Sequence, residues 1–309
     1  MGWKYILAKP TMSDIQGIFA AAITPLREDY SPDLETIPEY LDFLAGRGCH
    51  GALLLGTTGE GPSFSTNQRI EIFNSGIRVR EKWPEFKLLA GTSTPSLDET
   101  VKLTKAAFDL GMDGTVVLPP YYFRSSGDVG LLNWFNHVMD KSVPESGNFL
   151  VYHIPAVSGV GISINLLENL LESNPNKFSG LKDSSGDPEF AERLGDRFGD
   201  EIIVLTGSDR LLSHALNQHA SGCITALANL ISPDLRSLWE DFNLHNSTEL
   251  AQNQINQVRE ICEQFQPFPP LIKLLLYQFF DFQLWPVCPP LENISKDTAD
   301  RVSTMLNLA

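Results

Sequence analysis

A short apolar run followed by a helical segment recurs eight times along this chain, and that repetition constrains the fold more than anything else in it. The runs fall at 17–23, 52–55, 87–90, 115–118, 148–152, 178–182, 202–205 and 222–225. Each is short and mainly apolar, the pattern of a strand buried on both faces rather than one half in water. Between them, apolar residues return at helical spacing, as in Leu34, Ile37, Tyr40, Leu41 and Leu44 before Gly48, or Ile70, Phe73 and Ile77 behind a cap at Thr66. Eight alternating units close a (β/α)8 TIM barrel, an α/β fold. The competing open sheet wants a glycine-rich dinucleotide turn after its first strand, where Thr24-Pro25-Leu26 stands.

The barrel is expected over residues 1–245, and a C-terminal helical extension over 246–309. In the extension Leu250, Ile255, Val258, Ile261 and Phe265 mark one helix, and Pro267–Pro270 separates it from an apolar run at 271–280 that Lys273 and Gln278 interrupt. A final short helix is expected at 297–306, and the segment reads as an appendage packed on the barrel. The chain has no apolar stretch long enough to span a bilayer and no secretory signal. Its formal net charge of −15 repels nucleic acid and anionic membranes, so neither is an expected partner. Cys49, Cys223, Cys262 and Cys288 lie far apart, which predicts free thiols and a cytoplasmic setting. The six histidines form no metal-binding pair, and no cofactor is expected.

Active sites of such barrels form at the C-terminal ends of the strands. That rule gathers Thr24, Thr57, Thr58, Tyr121, Tyr122, Tyr152, Lys182, Ser208, Asp209 and Thr225 around one mouth. Lys182 ends an apolar run, inside the barrel, where loss of water disfavours the ammonium and frees the amine to attack a ketone. The protonated imine so formed is an electron sink that lets a bond break without a metal. Tyr152, one strand earlier, is the expected acid/base, tuned by neighbouring hydroxyls. The turn Gly56-Thr57-Thr58-Gly59-Glu60 offers amides and hydroxyls to a carboxylate, with Thr57 passing a proton to Tyr152. Tyr122 would complete a relay of hydroxyls. His153 should point away from Tyr152 if the strand alternation persists. Ser184 is a further candidate for substrate contact, and Asp209 with Arg210 is expected to touch the distal half of the substrate.

With these motifs in hand, the chain resembles the pyruvate-dependent class I aldolases and dehydratases, a family that includes dihydrodipicolinate synthase, N-acetylneuraminate lyase and 2-keto-3-deoxy sugar-acid aldolases. The matches are Gly56-Thr57-Thr58-Gly59-Glu60, Pro120-Tyr121-Tyr122, Tyr152-His153-Ile154-Pro155 and Gly180-Leu181-Lys182-Asp183, in order, across essentially the whole chain. The resemblance implies a Schiff base on Lys182, proton transfer by Tyr152, a relay hydroxyl at Thr57 and carboxylate binding at Thr58. It implies that Tyr122 crosses a subunit interface in a homotetramer built as a dimer of dimers, and that Gly207 and Ala226 line the pocket. The synthase pattern carries an arginine shortly after the tyrosine motif, where this chain has Pro155-Ala156-Val157-Ser158-Gly159. The neuraminate lyase pattern carries Asp followed by Glu where this chain has Asp209-Arg210, and a serine where it has Ala226. The expectation is a lyase cleaving a 2-oxo acid, such as a 2-keto-3-deoxy sugar acid, to pyruvate and an aldehyde. Dehydration through the same imine is the alternative. A binding barrel without catalysis, and a metal-dependent aldolase that a chelator would silence, are readings from other classes.

Overall fold

The computed structural model describes residues 15–306. The first fourteen residues of the expected barrel unit and the last three of the extension lie outside it. Eight parallel strands close a barrel in sequence order: β1 (Gly17–Ala21), β2 (Gly51–Leu54), β3 (Lys87–Gly91), β4 (Gly114–Val117), β5 (Asn148–His153), β6 (Phe178–Asp183), β7 (Ile203–Thr206) and β8 (Gly222–Thr225). Helices α1 (Thr36–Gly46), α2 (Thr66–Ile77), α3 (Leu97–Asp109) and α4 (Asp128–Ser142) follow the first four strands. A one-turn helix α5 (Pro155–Ser158) precedes α6 (Ile164–Ser173); α7 (Pro188–Phe198), α8 (Leu212–Asn217) and α9 (Ala228–Asn243) complete the ring. The extension holds α10 (Glu249–Glu263), α11 (Phe268–Phe279) and α12 (Lys296–Met305).

Alternation along the strands divides two cores. Phe19, Leu53, Leu89, Val116, Leu150, Ile203, Leu205 and Ile224 fill the barrel interior. Their sequence neighbours, such as Ile18, Leu54 and Leu88 on one side and Val117, Val151 and Leu181 on the other, pack outward against the helices. Period-two geometry therefore fixes which side chains can reach the mouth from within.

Helix starts follow their capping residues. Ser96 and Ser163 cap α3 and α6, their side chains accepting from the amides of Glu99 and Leu166. The cap of α2 is Ser65 rather than Thr66. Its hydroxyl accepts from the Gln68 amide while the Gln68 side chain accepts from the Ser65 amide, a reciprocal pair that leaves Thr66 as the first helical residue. A helix expected from about Ser232 begins four residues earlier, because α9 has a short first arm that breaks at Ile231 (φ −119°, ψ 35°), two residues before Pro233. Asn229, in that arm, donates to the carbonyls of Ala21 and Ala226 and accepts from the Tyr40 hydroxyl, binding β1, α1 and α9 together.

Candidate active site

Two backbone irregularities bring the lysine and tyrosine together. Phe149 pairs with Phe178 but Leu150 pairs with Gly180, so Ser179 is an extra residue in β6. Past this bulge Tyr152 lies opposite Lys182 instead of Leu181, and the two side chains share the interior face. Gly180, just past the bulge, permits the close approach of β7: a Cβ there would lie 1.9 Å from the Ile203 carbonyl oxygen, at a φ of +150° that favours glycine. The Lys182 ammonium sits 4.3 Å from the centre of the Tyr152 ring, and the two residues are only 3% and 4% exposed.

Ser184, Thr57 and Lys182 are the polar neighbours that favour the charged form of the Tyr152 hydroxyl. Burial pushes the phenol up, but the Lys182 charge and these polar neighbours outweigh it, leaving the phenol below its ordinary value. Ser184, expected from the sequence to contact substrate, instead stands beside the phenol. Gly207 makes room for it, since a Cβ there would meet Ser184 Oγ at 1.8 Å. Gly207 and Ala226 are half-buried at the ends of β7 and β8.

The turn after β2 carries Thr57 exposed and Thr58 buried. Its backbone is closed by bonds from the Glu60 amide to the Thr57 carbonyl (3.2 Å) and from the Gly61 amide to the Gly56 carbonyl (3.1 Å). Thr24 supports it from β1, its hydroxyl donating to the Gly59 carbonyl at 2.7 Å. Thr225 is used otherwise, accepting from the Ala228 amide to start α9.

His153 faces outward, accepting from the Ile162 amide at 2.9 Å and lying beside the Phe190 ring; burial pushes its imidazole down to about 4. Tyr121 is half-buried, whereas Tyr122 is 76% exposed and stands edge-on to Phe123. Asp209 and Arg210 depart from expectation. Asp209 is fully buried, with both carboxylate oxygens accepting from Arg259 of α10 at 3.1–3.2 Å. Arg210 donates to Glu263 of the same helix at 2.7 Å. These side chains tie β7 to the extension rather than reaching into the mouth, a use invisible without the partners fifty residues on.

A second buried lysine also went unassigned. Lys273 of α11 donates to Glu60 Oε1 at 2.6 Å and to the Pro286 carbonyl at 2.7 Å, while Glu60 Oε2 accepts from the Cys288 amide at 2.7 Å. Its signal in the sequence was the charge breaking the apolar run at 271–280. Among the described residues no three His, Cys, Asp or Glu side chains cluster to hold a metal ion, and no helix is long and apolar enough to cross a membrane. Cavities of about 690 and 610 Å³ lie elsewhere, one beside Arg210 and His214 and one at the other end of the barrel around Ile203 and Ser221. Neither is lined by Lys182.

Residues 14–309 match the family model of the dihydrodipicolinate synthetase family. An uncharacterized DapA-like lyase from Chloroflexus aurantiacus is 38% identical over 266 residues, covering 86% of this chain and 87% of the relative. A 4-hydroxy-tetrahydrodipicolinate synthase from Methanosphaerula palustris is 29% identical over 219 residues, 70% of this chain and 72% of that one. Among solved structures, a prophage protein of the dihydrodipicolinic acid synthase family from E. coli, in complex with pyruvate, superposes with a TM-score of 0.86 at 22% identity, covering 94% of this chain and 97% of that one.

Proposed function

The chain belongs to the dihydrodipicolinate synthetase family of lyases, and from that premise we propose that it is a Schiff-base-forming aldolase that cleaves a 2-oxo acid to pyruvate and an aldehyde. The observation that carries the reading is the buried lysine–tyrosine pair, in register on one interior face, with the phenol held below its ordinary value. Lys182, Tyr152, Thr57 and Tyr122 are the proposed catalytic residues, on a catalytic barrel spanning 1–245 with the helices of 246–309 as its appendage.

In this mechanism the substrate carboxylate rests on the Thr57–Thr58 turn. The Lys182 amine adds to the ketone carbon, water leaves, and a protonated imine remains. Tyr152 takes the proton of the C4 hydroxyl, the C3–C4 bond breaks, its electrons pass into the imine to form an enamine, and the aldehyde departs. Protonation at C3 and hydrolysis then return pyruvate and the free amine. The substrate class is a 2-keto-3-deoxy sugar acid, whose hydroxyls suit a mouth lined by Ser184 and Ser208. The α5 turn Pro155–Ser158 carries no guanidinium of its own, though the Arg124 side chain packs against Gly159 at its end; the proposed reaction is cleavage.

Tyr122 is assigned to a subunit interface in a homotetramer; its support is the exposed apolar group of Tyr122, Phe123, Val129 and Val157 on the loops and helices beside the mouth. A cytoplasmic setting is supported by four buried free thiols. The test is incubation with pyruvate, reduction with borohydride and mass analysis. The wild-type protein gains one reduced pyruvate adduct at Lys182 and Lys182→Met gains none. An unlabelled wild-type protein, or an adduct that survives in Lys182→Met, refutes the assignment.

A further inference from the structure

The turn proposed to hold the substrate carboxylate is anchored from outside the barrel. Glu60 closes it, donating its amide to the Thr57 carbonyl, while its side chain leaves the turn altogether. Both carboxylate oxygens end on the extension, one on the Lys273 ammonium and the other on the Cys288 amide. Lys273 in turn donates to the Pro286 carbonyl. The two charged side chains are 0% and 1% exposed, so water does not compete for either partner. Glu60 adopts a left-handed backbone (φ 56°, ψ 29°), as does Leu55 at the start of the turn (φ 58°). Non-glycine residues hold that conformation only when their surroundings over-determine it. Glycines remove the remaining slack: a Cβ at Gly59 would lie 2.7 Å from the Ala22 carbonyl oxygen, and one at Gly61 2.1 Å from that of Leu55.

We propose that Glu60 and Lys273 are positioning residues, through which the C-terminal extension sets the geometry of the Thr57–Thr58 turn and so the affinity of the site for the substrate carboxylate. The inference rests on the imine reading above. A plain structural role for the pair predicts a loss of stability alone. A positioning role predicts a loss of 2-oxo acid affinity beyond any loss of stability, because displacing a binding group by about 1 Å costs up to ~100-fold.

Lys273→Met by itself leaves a buried, unpaired carboxylate and endangers folding. The informative variant is therefore Glu60→Gln with Lys273→Met, which removes both charges and keeps the volumes close. Ile255→Ala, a buried apolar position of α10 in the same extension, serves as the stability control. Each protein is titrated with pyruvate, trapped with borohydride, and scored by mass for half-saturation, alongside its thermal midpoint. The expected result is a half-saturation raised about tenfold or more in the double variant and unchanged in Ile255→Ala, whatever the two midpoints. Equal half-saturation in the double variant and wild type overturns the inference, and so does an equal shift in Ile255→Ala. Failure of the wild-type protein to trap pyruvate at all overturns the imine reading first, and this inference with it.

Discussion

Ser184 provides the sharpest perturbation of the proposed proton chemistry, because it touches the phenol without being the phenol. Its hydroxyl is one of the partners that, with Lys182 and Thr57, hold Tyr152 below its ordinary value against the opposing effect of burial. Ser184→Ala removes this hydroxyl, and with it the hydrogen bond it would give the phenolate, and adds no atom. A hydrogen bond to an ionised group is worth about 1.5–3 kcal/mol, so the phenolate-dependent step should slow by ~10- to ~100-fold. The sign is set by the state being stabilised: the lost bond favoured the charged form, so the phenol rises and its active limb moves to higher pH.

The assay needs no knowledge of the aldehyde. A protein that forms an imine with pyruvate and moves protons at C3 exchanges the methyl hydrogens of pyruvate for deuterium in heavy water, which NMR follows directly. Borohydride trapping on the same sample reports the lysine step separately. Ser184→Ala should slow exchange and shift its pH profile upward while trapping at saturating pyruvate stays near wild type. Tyr152→Phe should depress exchange further and flatten the profile. If Ser184→Ala exchanges as fast as wild type with an unmoved profile, Ser184 does not tune Tyr152. If Tyr152→Phe retains full exchange, the phenol is not the proton carrier.

Asp209 carries a prediction about stability. Burial pushes its carboxyl up to about 6 in the folded chain even with Arg259 beside it. The folded state then binds a proton more readily than the unfolded chain, so this group adds stability as pH falls through 6 toward 4, by at most about 3 kcal/mol. Urea midpoints from pH 7 to 5 should rise more in the wild-type protein than in Asp209→Asn; parallel slopes would dismiss the effect. For Tyr122, sedimentation should give a tetramer for the wild type and a smaller species for Tyr122→Ala or Tyr122→Asp, and a wild-type protein that is monomeric while trapping pyruvate rejects the interface assignment.

The barrel was legible because its signal is repeated. Each of eight runs repeats the same two-faced burial, and small errors at single ends, such as the cap of α2 or the start of α9, leave the count intact. The site was legible in parts, where one strand suffices. Parity along β5 sends Tyr152 inward and His153 outward, and that much follows from period two. What period two could not supply is the relation between strands. The bulge at Ser179 shifts the β6 register by one residue, and nothing in the local sequence marks it beyond the glycine that follows. Partners far along the chain were equally out of reach. Asp209 and Arg210 stand at a strand end, where contact with substrate is the natural expectation, and Arg259 and Glu263 claim them from α10.

Two of the described lysines are buried almost completely, Lys182 at 3% exposure and Lys273 at 1%. Depth of burial, the property that singled out Lys182 in the sequence, is therefore common to both and cannot decide which is the proposed nucleophile. Their partners can. Lys273 donates to a carboxylate and a backbone carbonyl, so its N–H groups are committed to holding two segments together, although burial draws it below the usual lysine range. Lys182 has no ion pair among the described residues; its company is a phenol and, through it, two hydroxyls. Hydroxyls exchange protons with an amine or an imine, whereas a fixed carboxylate locks the ammonium in place. Under the proposed mechanism the same residue type in the same dryness is a bolt in one setting and a reagent in the other, and the difference lies in what each lysine faces rather than in how deeply it is buried.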